Sequence, residues 1–327
     1  MSFEETAIWK NAFVLGNGND LLKTSFLTSR DRAKVLAEEI AKENPGFTVH
    51  DISHIDALWE TATVVLGGEF TLSPIEAYAL GQSFLIHDLA MSNVSVDDVE
   101  AIEKSVRYQD LLAYQLKTIL RRSPTPEELA NAAAEQRQKA LCDYLREHHA
   151  ENAAKLPFLE WENRGNNYRL IENPEVRESV GELVGRIAES HWWDLTRVRR
   201  EFQDHVGLPS FINGESEFRP MLLAILLRTA DVIQVDDRRA PSFLYAIRKP
   251  NGLSNEHWSF QNLLNLPKPI DRRLRFTAKR PFNVNERNAW WLCFDTLRYA
   301  DRELGNANQV VNEVYGKELA VLSLIHI

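Results

Sequence analysis

The chain is 327 residues long, 44% hydrophobic and 26% charged, with a formal net charge of −9, an ordinary composition for a globular protein with room for a large core or two modest ones. The acidic balance disfavours unaided binding to a nucleic-acid backbone. The longest apolar run, Met221 to Leu227, is far too short to span a bilayer. Cys142 and Cys293 make no CxxC unit and read as small buried hydrophobes in a reducing compartment. The first residues do not read as a signal peptide, so the expected location is the cytoplasm.

Along the chain, Gly16-Asn17-Gly18-Asn19 is a glycine-containing turn without the third glycine or the preceding strand of a phosphate loop. Ser73-Pro74-Ile75-Glu76 is a capping box with proline at the first helical position. Ile75, Tyr78, Ala79 and Phe84 then recur at helical spacing, and the helix delivers His87-Asp88 near its C-terminal end. Thr125-Pro126-Glu127-Glu128 repeats the start signal, here for one long helix carrying Leu129, Leu141, Leu145 and His148-His149. Residues 157–175 hold Pro, Gly and Asn and read as a loop or small surface excursion.

Val176, Val180, Leu183, Val184 and Ile187 share one helical face, and His191 continues it. The breaks in residues 204–220 suggest a segment that borders a pocket. After Pro220, Ala224 and Leu227 share a face with Asp231, so His191 and Asp231 both point inward. Beyond Pro241 the character changes. LRFTAKRPFNV alternates like a strand, with Leu274, Phe276 and Ala278 on one side, and a helix-like run follows from Glu286 to Leu304 with Trp290, Trp291, Phe294 and Leu297. The expected fold is mainly α: a helical domain over residues 1–245 and a smaller C-terminal strand-and-helix (α+β) segment over 246–327.

An ionisable side chain in an apolar helical stretch is costly unless something binds it, and a divalent cation is the simplest partner for His54, His87, Asp88 and Asp231 together. The strings HDISHIDALWE, FLIHDLAMS and LLRTADVIQVDDRRAP, in that order over roughly residues 45–245, resemble the HD superfamily of metal-dependent phosphohydrolases. The resemblance implies an HD-type helical bundle in which those four residues hold a first ion, with Asp88 bridging to a second. YLREHHAENAAKL is similar to a block that supplies a further histidine in two-metal members. His149 fits that place better than His148, because Ala150 and Ala153 follow it in the family's spacing. IAESHWWDL resembles the next block and assigns His191. Asp88, His149 and His191 are the implied catalytic residues, and the substrate is expected to be a nucleotide or small phosphoester. Imidazole and carboxylate donors suit manganese, iron, cobalt, nickel or zinc better than an all-oxygen magnesium cage.

Each residue has a plainer reading. His50 and His54 are an HxxxH pair that a core also satisfies, with His50 facing solvent or supporting the site. His87 caps a helix end, Asp231 pairs with Arg228, and His191 joins Trp192 and Trp193. Arg238 and Arg239 meet a substrate phosphate or pair with Asp236 and Asp237. The basic run Arg272, Arg273, Arg275, Lys279 and Arg280 reads as a solvated face more than a nucleic-acid stripe. The closing letters LSLIHI do not read as a natural terminus, so the expectation is a fragment of a longer protein. Similar HD domains precede GHKL-type ATPase domains, which makes a C-terminal ATPase domain the expected partner. The rival to an enzyme is a regulatory HD module serving that ATPase with little turnover of its own.

Overall fold

The computed structural model describes residues 2–15, 20–202 and 218–326; the turn at Gly16–Asn19 and nearly all of the 204–220 stretch lie outside them. The fold is mainly α with small strand elements, as the sequence leads one to expect. Helices α1 (Ala7–Lys10), α2 (Asp20–Glu43), α3 (Ile52–Leu66) and α4 (Pro74–Ile86) come first, followed by α5 (Val99–Lys104), α6 (Val106–Leu120), α7 (Pro126–Ala130) and α8 (Ala134–Ala153). A hairpin of β1 (Trp161–Asn163) and β2 (Asn166–Tyr168) precedes α9 (Pro174–Glu189), α10 (Leu195–Glu201) and α11 (Pro220–Ile233). The chain continues through α12 (Ser242–Arg248), α13 (Gly252–Leu263), β3 (Lys268–Ile270), β4 (Arg273–Phe276), α14 (Arg287–Tyr315) and β5 (Ser323–His326). Strand β4 pairs antiparallel with β3 and parallel with β5. Among the described residues no helix is long and apolar enough to cross a membrane.

Two helices are apolar nearly all round and therefore lie at the centre. Every residue of α4 from Ile75 to Ile86 is buried, as is every residue of α11 from Pro220 to Ala230. Around them α3 buries Ile55, Leu58, Trp59, Ala62 and Val65, while α9 buries Val176, Val180, Val184 and Ile187. At Gly81 an added Cβ would lie 2.4 Å from the Trp59 ring and 2.7 Å from that of Phe26. Only glycine lets α4 pass beneath those rings. Gly185 does the same between α9 and the end of α8, where a Cβ would meet the Ala154 carbonyl oxygen at 2.2 Å. The helices that carry His149 and His191 are thereby drawn together.

One expectation needs correction. The capping box at Thr125 is present, but it opens only the short α7. The Asn131 side chain bonds the Glu127 carbonyl, and Arg137 takes those of Ala130 and Ala132. Those bonds satisfy the open end of α7, and α8 starts afresh at Ala134. The 157–175 stretch contains the exposed hairpin. Helices α12 and α13 carry no periodic signal strong enough to have been read, and α14 runs on to Tyr315. Phe260 of α13, Leu274 and Phe276 of β4 and Leu297 of α14 belong to the same apolar cluster as α4 and α11. Arg272, Lys279 and Arg280 pair with Glu318, Asp237 and Glu286 on an exposed face.

Candidate metal centre

His54 enters from α3, His87 caps the C-terminal end of α4, and Asp88 follows at the break where a short 3-10 turn begins. His149 sits in the last turns of α8, His191 in the 3-10 turn after α9, and Asp231 near the end of α11. All six converge. One atom each from His54, His87, Asp88 and Asp231, and likewise from Asp88, His149 and His191, lie within 4.8 Å of one another.

The Asp88 carboxylate divides the centre into two lobes. Its Oδ2 lies 3.2 Å from His87 Nε2 and 3.9 Å from His54 Nε2, and Asp231 Oδ1 lies 3.7 and 3.6 Å from the same two nitrogens. Its Oδ1 turns the other way, 3.4 Å from His149 Nε2 and 4.0 Å from His191 Nε2. Two donors bound to one ion at roughly 2.0–2.2 Å stand about 3–4.4 Å apart, according to the angle between them. Every one of these separations falls inside that window.

Ring orientation decides what the centre can hold. Nδ1 of His87, His149 and His191 donates to the carbonyls of Phe84, Arg146 and Ala188, each three residues back, at 3.0, 2.8 and 2.6 Å. His54 Nδ1 lies 2.7 Å from Gln234 Oε1. A carbonyl only accepts, so Nδ1 carries the hydrogen and the Nε2 lone pairs face the carboxylates. Nε2 of His149 and His191 stand 2.9 Å apart, and the buried Nε2 of His87 has no hydrogen bond of normal geometry. Lone pairs aimed at one another and at two carboxylates in a dry setting repel unless a cation lies among them. The donor set fits a divalent ion, with the second ring nitrogen anchored as metal-binding histidines usually have it.

Electrostatics agree for three of the four rings. Burial lowers His54 well below the ordinary imidazole value, with the Arg239 charge adding to it, and burial also lowers His149. His191 is pushed down to about 3 by burial and by His149 and His87. These rings are neutral, the form that binds metal. His87 is the exception: Asp88 and Asp231 outweigh its burial and move it up to about 10, so its Nε2 carries a proton between the two carboxylates that a bound ion would have to displace. The same His87 charge holds both carboxyls below the usual range against the burial that opposes it.

The plainer readings separate cleanly. Arg228 does not pair with Asp231; it bonds the carbonyls of Ser190, His191 and Trp193 and the Glu303 carboxylate. His148 turns away to stack on Tyr144, so His149 is the member of the pair in the centre. Arg238 pairs with Asp236 and Glu60, whereas Arg239 turns inward. His50 lines the site, with Nε2 at 4.0 Å from Asp88 Oδ2. Sequence reasoning missed Gln234, although it lies one helical turn beyond Asp231 in an otherwise apolar run. It also missed Phe47 and His257, which have no shared periodicity to mark them.

Above the centre opens a cleft of about 390 Å³ whose floor includes Asp88, His149, His191 and Asp231 and whose walls include Phe47, His50, Arg146, Trp192, Arg239 and His257. That volume is at the lower end for small-molecule sites. A helical bundle whose central helices bring H…HD…D residues to one floor is a domain of the HD type. The chain belongs to the HD-CE family, whose model matches residues 45–306. No curated protein and no solved structure gives a significant match.

Proposed function

We propose that this domain is a metal-dependent phosphohydrolase acting on a nucleotide or other small phosphoester. The observation that carries the reading is the two-sided Asp88 carboxylate, with His54, His87 and Asp231 on one side and His149 and His191 on the other. His54, His87, Asp88 and Asp231 would hold one divalent ion, and Asp88, His149 and His191 a second. Manganese, iron, cobalt, nickel and zinc suit these donors. Bound there, divalent ions supply Lewis acidity toward a phosphoryl oxygen and make a coordinated water more acidic.

The chain's own residues do the rest. Gln234 and the three backbone carbonyls hold the rings so that no reorientation is needed when substrate arrives. Two divalent ions against two carboxylates leave surplus positive charge at the floor, which favours an anionic substrate despite the acidic chain. Trp192, 57% exposed at the wall and edge-on to His149, offers an apolar face to the organic part of a substrate.

The test is metal analysis of the purified protein with a panel of nucleotides and model phosphodiesters, beside the double variant His149→Ala/His191→Ala. We expect turnover in the wild type with manganese, cobalt or iron. The double variant should lose most of its turnover while keeping the first ion. Metal and nucleotide binding without turnover, with the double variant changing only nucleotide affinity, would instead establish a regulatory module.

A further inference from the structure

Arg239 is a buried cation that the centre leaves without a close counter-charge. The residue is 9% exposed and faces the cleft. Its Nη2 donates to His50 Nε2 at 2.8 Å, and His50 Nδ1 is tied to the Thr48 carbonyl at 2.6 Å. His50 is therefore a neutral acceptor that aims the guanidinium, consistent with burial and the Arg239 charge bringing it down to about 4. Nη1 lies 2.8 and 2.9 Å from the two ring nitrogens of His54, a position against the ring and not on either lone pair. Nε is buried without any partner. The nearest carboxylate oxygen, Asp231 Oδ1, is 3.9 Å away.

A second guanidinium stands at the rim. Arg146 is exposed, lies 5.4 Å over the Phe47 ring and lines the same cleft, with no ion-pair partner among the described residues. Its backbone carbonyl anchors His149. The two guanidinium groups thus face one cleft at different depths, Arg239 against the His54 ring and Arg146 over Phe47 at the rim. His257 lines the same cleft and feels both charges, which together with its burial keep it neutral and out of competition for an anion. A desolvated guanidinium with open donors is costly alone and favourable with a phosphate, whose oxygens match its fork.

We propose that Arg239 and Arg146 form a two-position anion subsite, deep and rim, which selects substrates carrying two linked phosphates over simple monoesters. Arg239 meets the phosphoryl group lying at the His54 lobe, and Arg146 meets the next one outward. The proposal rests on the phosphohydrolase reading only for the identity of the anion.

Inorganic pyrophosphate and orthophosphate are titrated calorimetrically into the metal-free and manganese-loaded protein, with metal content measured for every variant. The wild type should prefer pyrophosphate. Arg239→Gln should weaken both anions by roughly tenfold or more, as expected for lost hydrogen bonds to a charged group. Arg146→Gln, an exposed change with little risk to folding, should weaken pyrophosphate about threefold and leave orthophosphate alone. Arg239→Lys should fall between wild type and Arg239→Gln, since it keeps charge without the fork. Neither glutamine variant should change metal content. Equal affinity of the wild type for both anions, unchanged binding in both variants, or loss of metal in Arg239→Gln would overturn the subsite. Failure of the wild type to bind metal would overturn the functional reading, while the metal-free titrations still judge the arginines.

Discussion

Helix α4 carries a buried carboxylate at each end, and the two are treated in opposite ways. Glu76 in its first turn accepts from Arg219 N and Nε through Oε1, and from Arg219 Nη2 and Ser73 N through Oε2, all between 2.8 and 2.9 Å. Its charge is closed by the chain itself. Asp88, just past the other end, faces the Nε2 atoms of His87, His54, His149 and His191 at 3.2–4.0 Å, with the ring hydrogens turned away to other acceptors. The arginines repeat the contrast. Both leave Nε unpartnered, but Arg228 directs its Nη atoms to carbonyls and to Glu303, while those of Arg239 meet only the rings of His50 and His54, with no carboxylate among the described residues closer than 3.9 Å. Burial alone therefore does not mark a functional group; burial with donors and acceptors left open toward a common point does.

The sharpest way to break this comparison is Asp88→Ala. It should abolish hydrolysis, by more than about a thousandfold as expected when a metal-dependent mechanism loses its shared ligand, and metal content should fall sharply. The protein should stay folded, because the apolar faces of α4 and α11 hold it. Full occupancy and activity in that variant would show that Asp88 is as self-sufficient as Glu76.

Glu76→Ala should do the reverse. It breaks the ion pair between Glu76 and the Arg219 guanidinium, whose side chains are 1% and 11% exposed, at a cost of about 3–5 kcal/mol read from urea unfolding. The metal content of the folded fraction should not change. A stability loss below about 1 kcal/mol would mean that the pair is not closed in the way its hydrogen bonds suggest.

The smallest effect sharpens the comparison by moving the same motif to the surface. Glu128 closes the capping box at Thr125 and pairs with the exposed Arg122, and its carboxyl is lowered to about 2, first by that arginine. A depressed carboxyl stabilises above its unfolded value near 4.3 and loses that contribution as pH falls through the folded value. Glu128→Gln and wild type should differ slightly in thermal midpoint at pH 6 and converge between about pH 4 and pH 2. A gap that widened on acidification would contradict the sign.

The blocks that resemble the HD superfamily, and the apolar faces bearing His191 and Asp231, were legible because each is a local pattern. The His149 choice over His148 was legible through the alanines that follow it. Partner choice was not. Arg228 lies three residues from Asp231, yet its carboxylate comes from Glu303 on α14, a contact that depends on how a distant helix packs. The break between α7 and α8 was hidden because Asn131 and Arg137 end the helix with side-chain bonds, without proline or glycine. Gln234 and Arg239 follow Asp231 closely, but their roles arise only where α3 brings His50 and His54 against them.

The three rings anchored three residues back have a consequence for how this sequence can vary. Phe84 and Ala188 lie in the last turns of α4 and α9, where helices leave carbonyls open. The bonds that aim His87 and His191 also finish those helices, so helix length acts as a ruler measured from each end to the centre. One residue inserted or deleted within α4 would turn Asp88 by about 100° relative to Glu76 and point it away from its partners. Drift in length is thus barred from the central helices and directed to places such as the exposed β1–β2 hairpin, where an added residue shifts nothing that the centre depends on.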